Sequence, residues 1–304
     1  MSHPRFSIIS DEISQDPVVV ARFVRDYGLD GFELRSMFGR AFKDLTALDV
    51  AEIRALASGE GWRIHGCATP VFKCELDDGA VVRRHMDVFR RSLEVARELR
   101  CGLVRVFTFL RRPEGLSKGL VERIAQHLTA LADLAAASGA RIGVENESSC
   151  VIGSGAELLQ LAEALVHPAA GWIWDPCNVI YVPGETGAAA AGFLGLAGRI
   201  VHVHVKDAVR TPNGASQARP TPVGDGDVGW GRHLAEIRRS GYGGMLSLET
   251  HWRKRELGRE LLHLPAGDAF SAGGDEASRI CMDRLLDLWR AAEPGAAVPE
   301  SALL

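Results

Sequence analysis

The sequence predicts a single (β/α)8 barrel. Two observations carry this expectation. Eight short β-type runs recur at intervals of about 25 to 45 residues, with helix-type runs between them, and such alternation builds a parallel sheet. Eight units fit into about 290 residues, the size at which such a sheet closes on itself. An open doubly wound sheet is the competing architecture. It usually has fewer strands, and no nucleotide fingerprint follows the first run here.

The strands are expected at Phe6–Ile9, Gly31–Leu34, Arg63–Cys67, Leu103–Phe107, Arg141–Glu145, Gly171–Trp174, Ile200–His204 and Met245–Glu249. Most are short apolar runs, as befits strands covered on both faces. Nearly all run into polar residues: Ser10, Asp11 and Glu12 after the first, Glu33 and Arg35 at the second, then Thr69, Thr108, Asn146, Asp175, Lys206 and Asp207, and finally Thr250 and His251.

The first helix, Pro17–Tyr27, opens after Asp16, an N-cap with proline in the first helical position. Asp49–Ser58 and Val82–Leu99 follow. Leu120–Ala137 carries Leu and Ala at helical spacing and stops before Gly139, and Ala156–Leu165 opens after Ser154. Ala188–Leu196 has the weakest pattern. Gly231–Ser240 and Glu276–Ala292 complete the set. The barrel core is expected over about 6–292 of a single 1–304 domain, with 293–304 as a frayed tail.

Composition limits the function classes. Hydrophobic residues make up 46% and charged residues 24%, with a net charge of -4. So mild a balance gives no reason to expect nucleic acid or an anionic membrane as partner. No basic segment precedes an apolar run at the N-terminus, and no apolar stretch reaches membrane-spanning length. A cytoplasmic protein is expected, with room for a homodimer or homotetramer. The six cysteines, Cys67, Cys74, Cys101, Cys150, Cys177 and Cys281, show no CxxC pair and suit reduced, buried thiols.

In a barrel of this kind, working residues sit where strands end. Four consecutive ends carry metal-ligand side chains: Glu145 in GVENE, Asp175 in WDPCN, His204 in VHVHVKD and Glu249 in LSLETH. Neighbouring strands converge near the axis. Three carboxylates and one imidazole suit a divalent metal ion, Mn²⁺, Mg²⁺ or Co²⁺, with positions left for substrate oxygens. Each residue alone reads more simply as a solvated or paired group; the four together make the case. His202 shares a face with His204 one layer lower. Glu147 is expected outside the ligand set. Lys206, Asp207 and Arg210 follow the histidine, where a cation can hold a substrate oxygen. Glu33, His65 and Arg105 are expected to line the other side of the pocket. Phe72, Trp174, Trp230 and Trp252 are candidates for apolar walls, with core packing the expected fate of at least two. Gly224–Gly229 reads GDGDVG, a literal GxGxxG. It follows no strand directly, and its two aspartates make a poor phosphate cradle. The long stretch Arg253–Gly274 is expected to serve as a lid or a dimer contact.

At GVEN, WDPCN, HVHVKD and LSLE the chain resembles the sugar phosphate isomerase/epimerase family, the xylose isomerase-like TIM barrels, from about Phe6 to Leu288. The resemblance implies Glu145, Asp175, His204 and Glu249 as ligands of one divalent metal, with Glu145 and Glu249 also moving a proton at the reacting carbon. It implies a ketose or keto-polyol substrate and an enediolate route. By spacing, Arg210 matches a substrate-contacting arginine of ketose 3-epimerases. Asn178 stands where those enzymes place a substrate-binding histidine, and Ser148–Val151 replaces their second glutamate. A metal-dependent lyase or dehydratase on a keto-sugar, keto-inositol or 3-keto-glycoside is therefore the alternative expectation.

Overall fold

Eight of the apolar runs lie side by side as parallel strands in the computed structural model, which describes residues 4–185, 190–211, 214–263 and 267–293. They are β1 (Arg5–Ile8), β2 (Gly31–Leu34), β3 (Arg63–Cys67), β4 (Leu103–Val106), β5 (Arg141–Glu145), β6 (Ala170–Trp174), β7 (Ile200–Val205) and β8 (Met245–Leu248). Each strand hydrogen-bonds to its sequence neighbour from β2 through β8, and β8 returns to β1. A parallel bridge between Ile9 and Glu33 closes the ring between β1 and β2. The expected barrel is therefore present, and every expected strand lies within a residue of its observed bounds.

The outer helices are α1 (Pro17–Asp26), α2 (Ala47–Glu60), α3 (Gly79–Glu98), α4 (Lys118–Ala137), α5 (Gly155–Ala164), α6 (Ala190–Leu196), α7 (Trp230–Arg239) and α8 (Gly274–Ala291). Local chemistry starts them. The Asp16 carboxylate accepts from Val18 N at 2.8 Å. Ser154 and Glu157 exchange side-chain-to-backbone bonds in a capping box. Thr46 and Asp49 do the same at α2, two residues before the expected start. The expected beginning of α6 and the expected tail from 294 onward lie outside the described residues. Among those described, no helix is long and apolar enough to cross a membrane.

The apolar core fills the space between barrel and helices. Phe72, Trp174 and Trp230 are fully buried there, and Trp252 packs partly buried against it. None of the four lines the cavity at the C-terminal strand ends, so their expected role as pocket walls gives way to core packing. All six cysteines are free and buried.

The GDGDVG loop wraps a carboxylate of the chain itself. Asp207 accepts from Gly224 N at 2.9 Å and Gly226 N at 3.1 Å on one oxygen, and from Ala208 N at 3.0 Å and Val228 N at 3.3 Å on the other. Its backbone donors are thus consumed internally. Only glycine fits at 226, because a Cβ there would lie 2.1 Å from Asp207 Oδ1.

Candidate metal centre

The inside of the barrel is polar where such barrels usually stack branched apolar side chains. Ser7, Glu33, His202, His204 and Ser247 are all buried within it. Above this layer, at the C-terminal ends of β5 to β8, Glu145, Asp175, His204 and Glu249 each offer a ligand atom, and these atoms lie within 4.8 Å of one another. Strand pairing brings them together: Ser247 of β8 is level with His204 of β7, which places Glu249 two residues further up on the same face.

Two further observations bear on whether a cation fits. Glu145 Oε2 and Asp175 Oδ2 are buried and accept no hydrogen bond among the described residues. Arg105 Nη1 approaches the first to 3.1 Å without aligning on it, and Lys206 Nζ meets the second at 2.7 Å as an ion pair. A buried carboxylate oxygen is costly unless a cation offsets it, and here Arg105 and Lys206 stand beside the two oxygens, where a divalent ion would also fit. Three carboxylates and an imidazole within reach of a common point form a donor set suited to a divalent ion.

The electrostatics are those of a charged cluster shut away from water. Burial pushes the Asp175 carboxyl up to about 7, aided by Glu249 and Glu145 and opposed by Lys206. Burial works the same way on Glu249, but Lys206, His251 and His204 hold it well below the usual carboxylate range. His204 is disfavoured as a cation by burial, yet Glu145 and Glu33 on either side raise its pKa well above the ordinary imidazole value. Its Nδ1 lies 2.8 Å from Glu145 Oε1. A divalent ion bound at Nδ1 would displace the proton shared there, so binding would release a proton.

A counter-charge ring surrounds the acids. Arg35 Nη1 lies 2.7 Å from Glu249 Oε1 while its other nitrogens hold Asp11 and Glu12. Glu12 is also bound by Arg253 and lies 3.5 Å from His251 Nε2. Lys206 Nζ bridges Asp175 Oδ2 and Glu249 Oε2, the second at 2.9 Å. A cavity of about 160 Å³ opens beside Glu145 and Glu249, lined by Arg35, Lys73, Arg105, Phe42, Phe107 and Leu262 among others. Arg105 stacks over Phe107 at 4.8 Å. Leu262, within the stretch Arg253–Gly274, lines this pocket.

The remaining expected site residues divide. Arg105 lines the cavity, and Lys206 sits among the ligands, tied to two of them. His65 does not reach the site. It is the third of five residues in β3, below the strand end, where it contacts Ser7 and Asp30 and lines a cavity at the N-terminal end of the barrel. The Asn178 side chain is used within the chain, donating to Asn146 O at 2.7 Å. Arg210 lies on a hairpin, Asp207–Thr211 with Gly214–Thr221, and donates to Glu185 O at 3.3 Å. Neither it nor Asn178 lines the cavity. Glu147, expected outside the ligand set, lines the cavity and pairs with Lys73 at 3.5 Å. The network of Asp11, Glu12, Arg35, His251 and Arg253 was not foreseen as part of the site. Its signal was the polar run that follows β1 and the Arg that follows β2.

A family model described as xylose isomerase-like TIM barrel matches residues 21–293, and the chain belongs to that family. No curated protein matches the sequence. Solved structures with the same fold include a zinc-bound IolI protein, 14% identical, at TM-score 0.74 over 95% of this chain and 99% of that one. The D-allulose 3-epimerase of Methylomonas sp., in complex with D-allulose, is 16% identical at TM-score 0.71 over 94% and 98%. The probable 3-DHS dehydratase AsbF of Bacillus anthracis is 16% identical at TM-score 0.65 over 90% and 98%.

Proposed function

We propose that this protein is a metal-dependent isomerase or epimerase of a sugar ketose or keto-polyol, moving a proton next to a carbonyl. The carrying observation is the buried quartet Glu145, Asp175, His204 and Glu249 beside a cavity with arginines and aromatic walls. A divalent ion held by the quartet would supply Lewis acidity toward a carbonyl oxygen. The residues of the chain do the rest. Glu145 lines the cavity, and among the described residues its Oε2 accepts no hydrogen bond, which suits it to take the proton beside the carbonyl. Glu249, which also lines the cavity, would return a proton on the other face. Arg105 and Arg35 offer donors to negative charge developing on substrate oxygens. Phe42, Phe107 and Leu262 keep water from an enediolate. The epimerase structures of like fold support this reading.

A second reading has its own observation. The two glutamates are unequal. Both oxygens of Glu249 contact cations, Arg35 at 2.7 Å and Lys206 at 2.9 Å. Glu145 has His204 Nδ1 at 2.8 Å on Oε1 and, among the described residues, Arg105 Nη1 at 3.1 Å on Oε2 without a hydrogen bond. A single carboxylate less tightly held than its partner suits elimination, in which the carbanion expels water or another β-leaving group, and a probable dehydratase shares the fold. Incubation of the metal-loaded protein with a panel of ketoses and keto-polyols in D₂O separates the two. Isomerisation or epimerisation conserves mass apart from deuterium gained at the carbon beside the carbonyl. Elimination yields an unsaturated or dehydrated ketone. Turnover with neither exchange nor elimination would end both readings.

A further inference from the structure

Glu33 is a fully buried carboxylate inside the barrel, and three donors converge on its Oε2. His202 Nε2 lies at 3.0 Å, His204 Nε2 at 3.1 Å and Ser247 Oγ at 3.0 Å. The chain makes room for it. The pairing of β2 with β3 slips between Phe32 and Glu33, which sets Glu33 opposite Gly66. A Cβ at Gly66 would sit 3.3 Å from both Cγ and Oε1 of Glu33, tighter than most such contacts. Burying this carboxylate is costly unless it is paired.

The consequence falls on His204. An imidazole has two nitrogens, and the hydrogen bond made by one decides which is left for a metal. His204 Nε2 points down to Glu33, and Nδ1 points up to Glu145 Oε1 at 2.8 Å, with Glu249 Oε2 3.7 Å away. We infer that Glu33 is the positioning residue of the metal site: it holds the Nε2–H of His204, so that Nδ1 is the atom presented to the cation. His202 and Ser247 in turn fix Glu33, so the ligand rests on a braced carboxylate rather than on a mobile one.

Glu33, His202 and His204 also lie close enough to hold a cation of their own. The three donors on one oxygen argue otherwise, since both imidazole nitrogens and a hydroxyl direct hydrogens at Oε2. This inference rests on the proposed metal site, and the experiment separates the two. Co²⁺ is titrated into the full chain and into Glu33→Gln and His204→Gln in competition with a chelator. Wild type binding one Co²⁺ with loss of that affinity in His204→Gln supports the site itself. A drop of about 10- to 100-fold in Glu33→Gln, with a changed Co²⁺ visible spectrum and an unchanged melting temperature without metal, supports the role of Glu33. Affinity within twofold of wild type, or a second Co²⁺ bound per chain that Glu33→Gln removes, overturns it. The atom assignment is read on unmutated protein. Nitrogen-15 NMR of the Zn²⁺-loaded chain should show His204 protonated at Nε2 and metal-bound at Nδ1, and the reverse pattern refutes the inference even if Glu33→Gln fails to fold.

Discussion

His233 should make the fold sensitive to mild acid. It lies on α7, buried, with Nε2 accepting from Trp174 Nε1 at 3.1 Å and its ring edge-on to Phe193 and Trp230. Burial lowers its pKa from 6.5 to about 4. The folded state thus keeps the ring neutral while the unfolded chain takes up a proton. Stability from this group is complete above pH 6.5 and is lost as pH falls toward about 4. The shift of about 2.5 units corresponds to roughly 3 kcal/mol, or about 1.4 kcal/mol per pH unit within the window. The perturbation is His233→Gln, whose amide oxygen can still accept from Trp174 but does not titrate. Urea midpoints are measured for both proteins at several values from about pH 7.5 to 4.5. Wild type should lose more stability than the variant across that range, by about 2 kcal/mol or more. Parallel pH profiles would refute the argument. The bond matters to the site as well, because Trp174 ends β6 immediately before Asp175.

Other expectations concern the loop and the centre. Gly226→Ala should lower stability by about 3 kcal/mol, read by thermal melting, because the added carbon meets Asp207 Oδ1 and Ala208 O. Metal-stripped protein supplied with Co²⁺ at about 100 times its Kd should gain about 2.7 kcal/mol and melt about 5 °C higher, a shift that His204→Gln abolishes. Glu145→Gln should slow solvent deuterium exchange into substrate by about 10²- to 10⁴-fold with little change in the melting temperature of the metal-free protein. Exchange at the wild-type rate would remove Glu145 from the proton-transfer step.

The barrel was legible because its strands are short apolar runs that end in polar residues, a pattern set by burial on both faces. The quartet was legible for the same reason: Glu145, Asp175, His204 and Glu249 interrupt apolar runs where each strand meets its loop. Depth along a strand was harder to read. Alternation gives the face a residue points to, not its height, so His65 was expected at the working end although it lies three residues into β3 from the far end. Asn178 and Arg210 were placed by their spacing from the ligands. Spacing cannot reveal that the helix Pro176–Ile180 turns the first toward Asn146, or that a hairpin carries the second to Glu185. Glu33 was expected to line the pocket, yet it lies buried inside the barrel and outside the cavity lining. Its meaning comes from His202 and His204, more than 165 residues away in sequence.

The quartet comes entirely from β5 to β8, whereas Arg35, Phe42, Pro70, Lys73, Arg105 and Phe107 of the cavity belong to β2 to β4 and their loops. One half of the ring thus carries the candidate ligands, and the other supplies most of the walls of the space next to them. A change at Phe42, Pro70 or Phe107 can alter which molecule fits while every ligand atom keeps its place. Redesign of selectivity should therefore begin in the first half of the chain, and the last four strand ends should be left untouched.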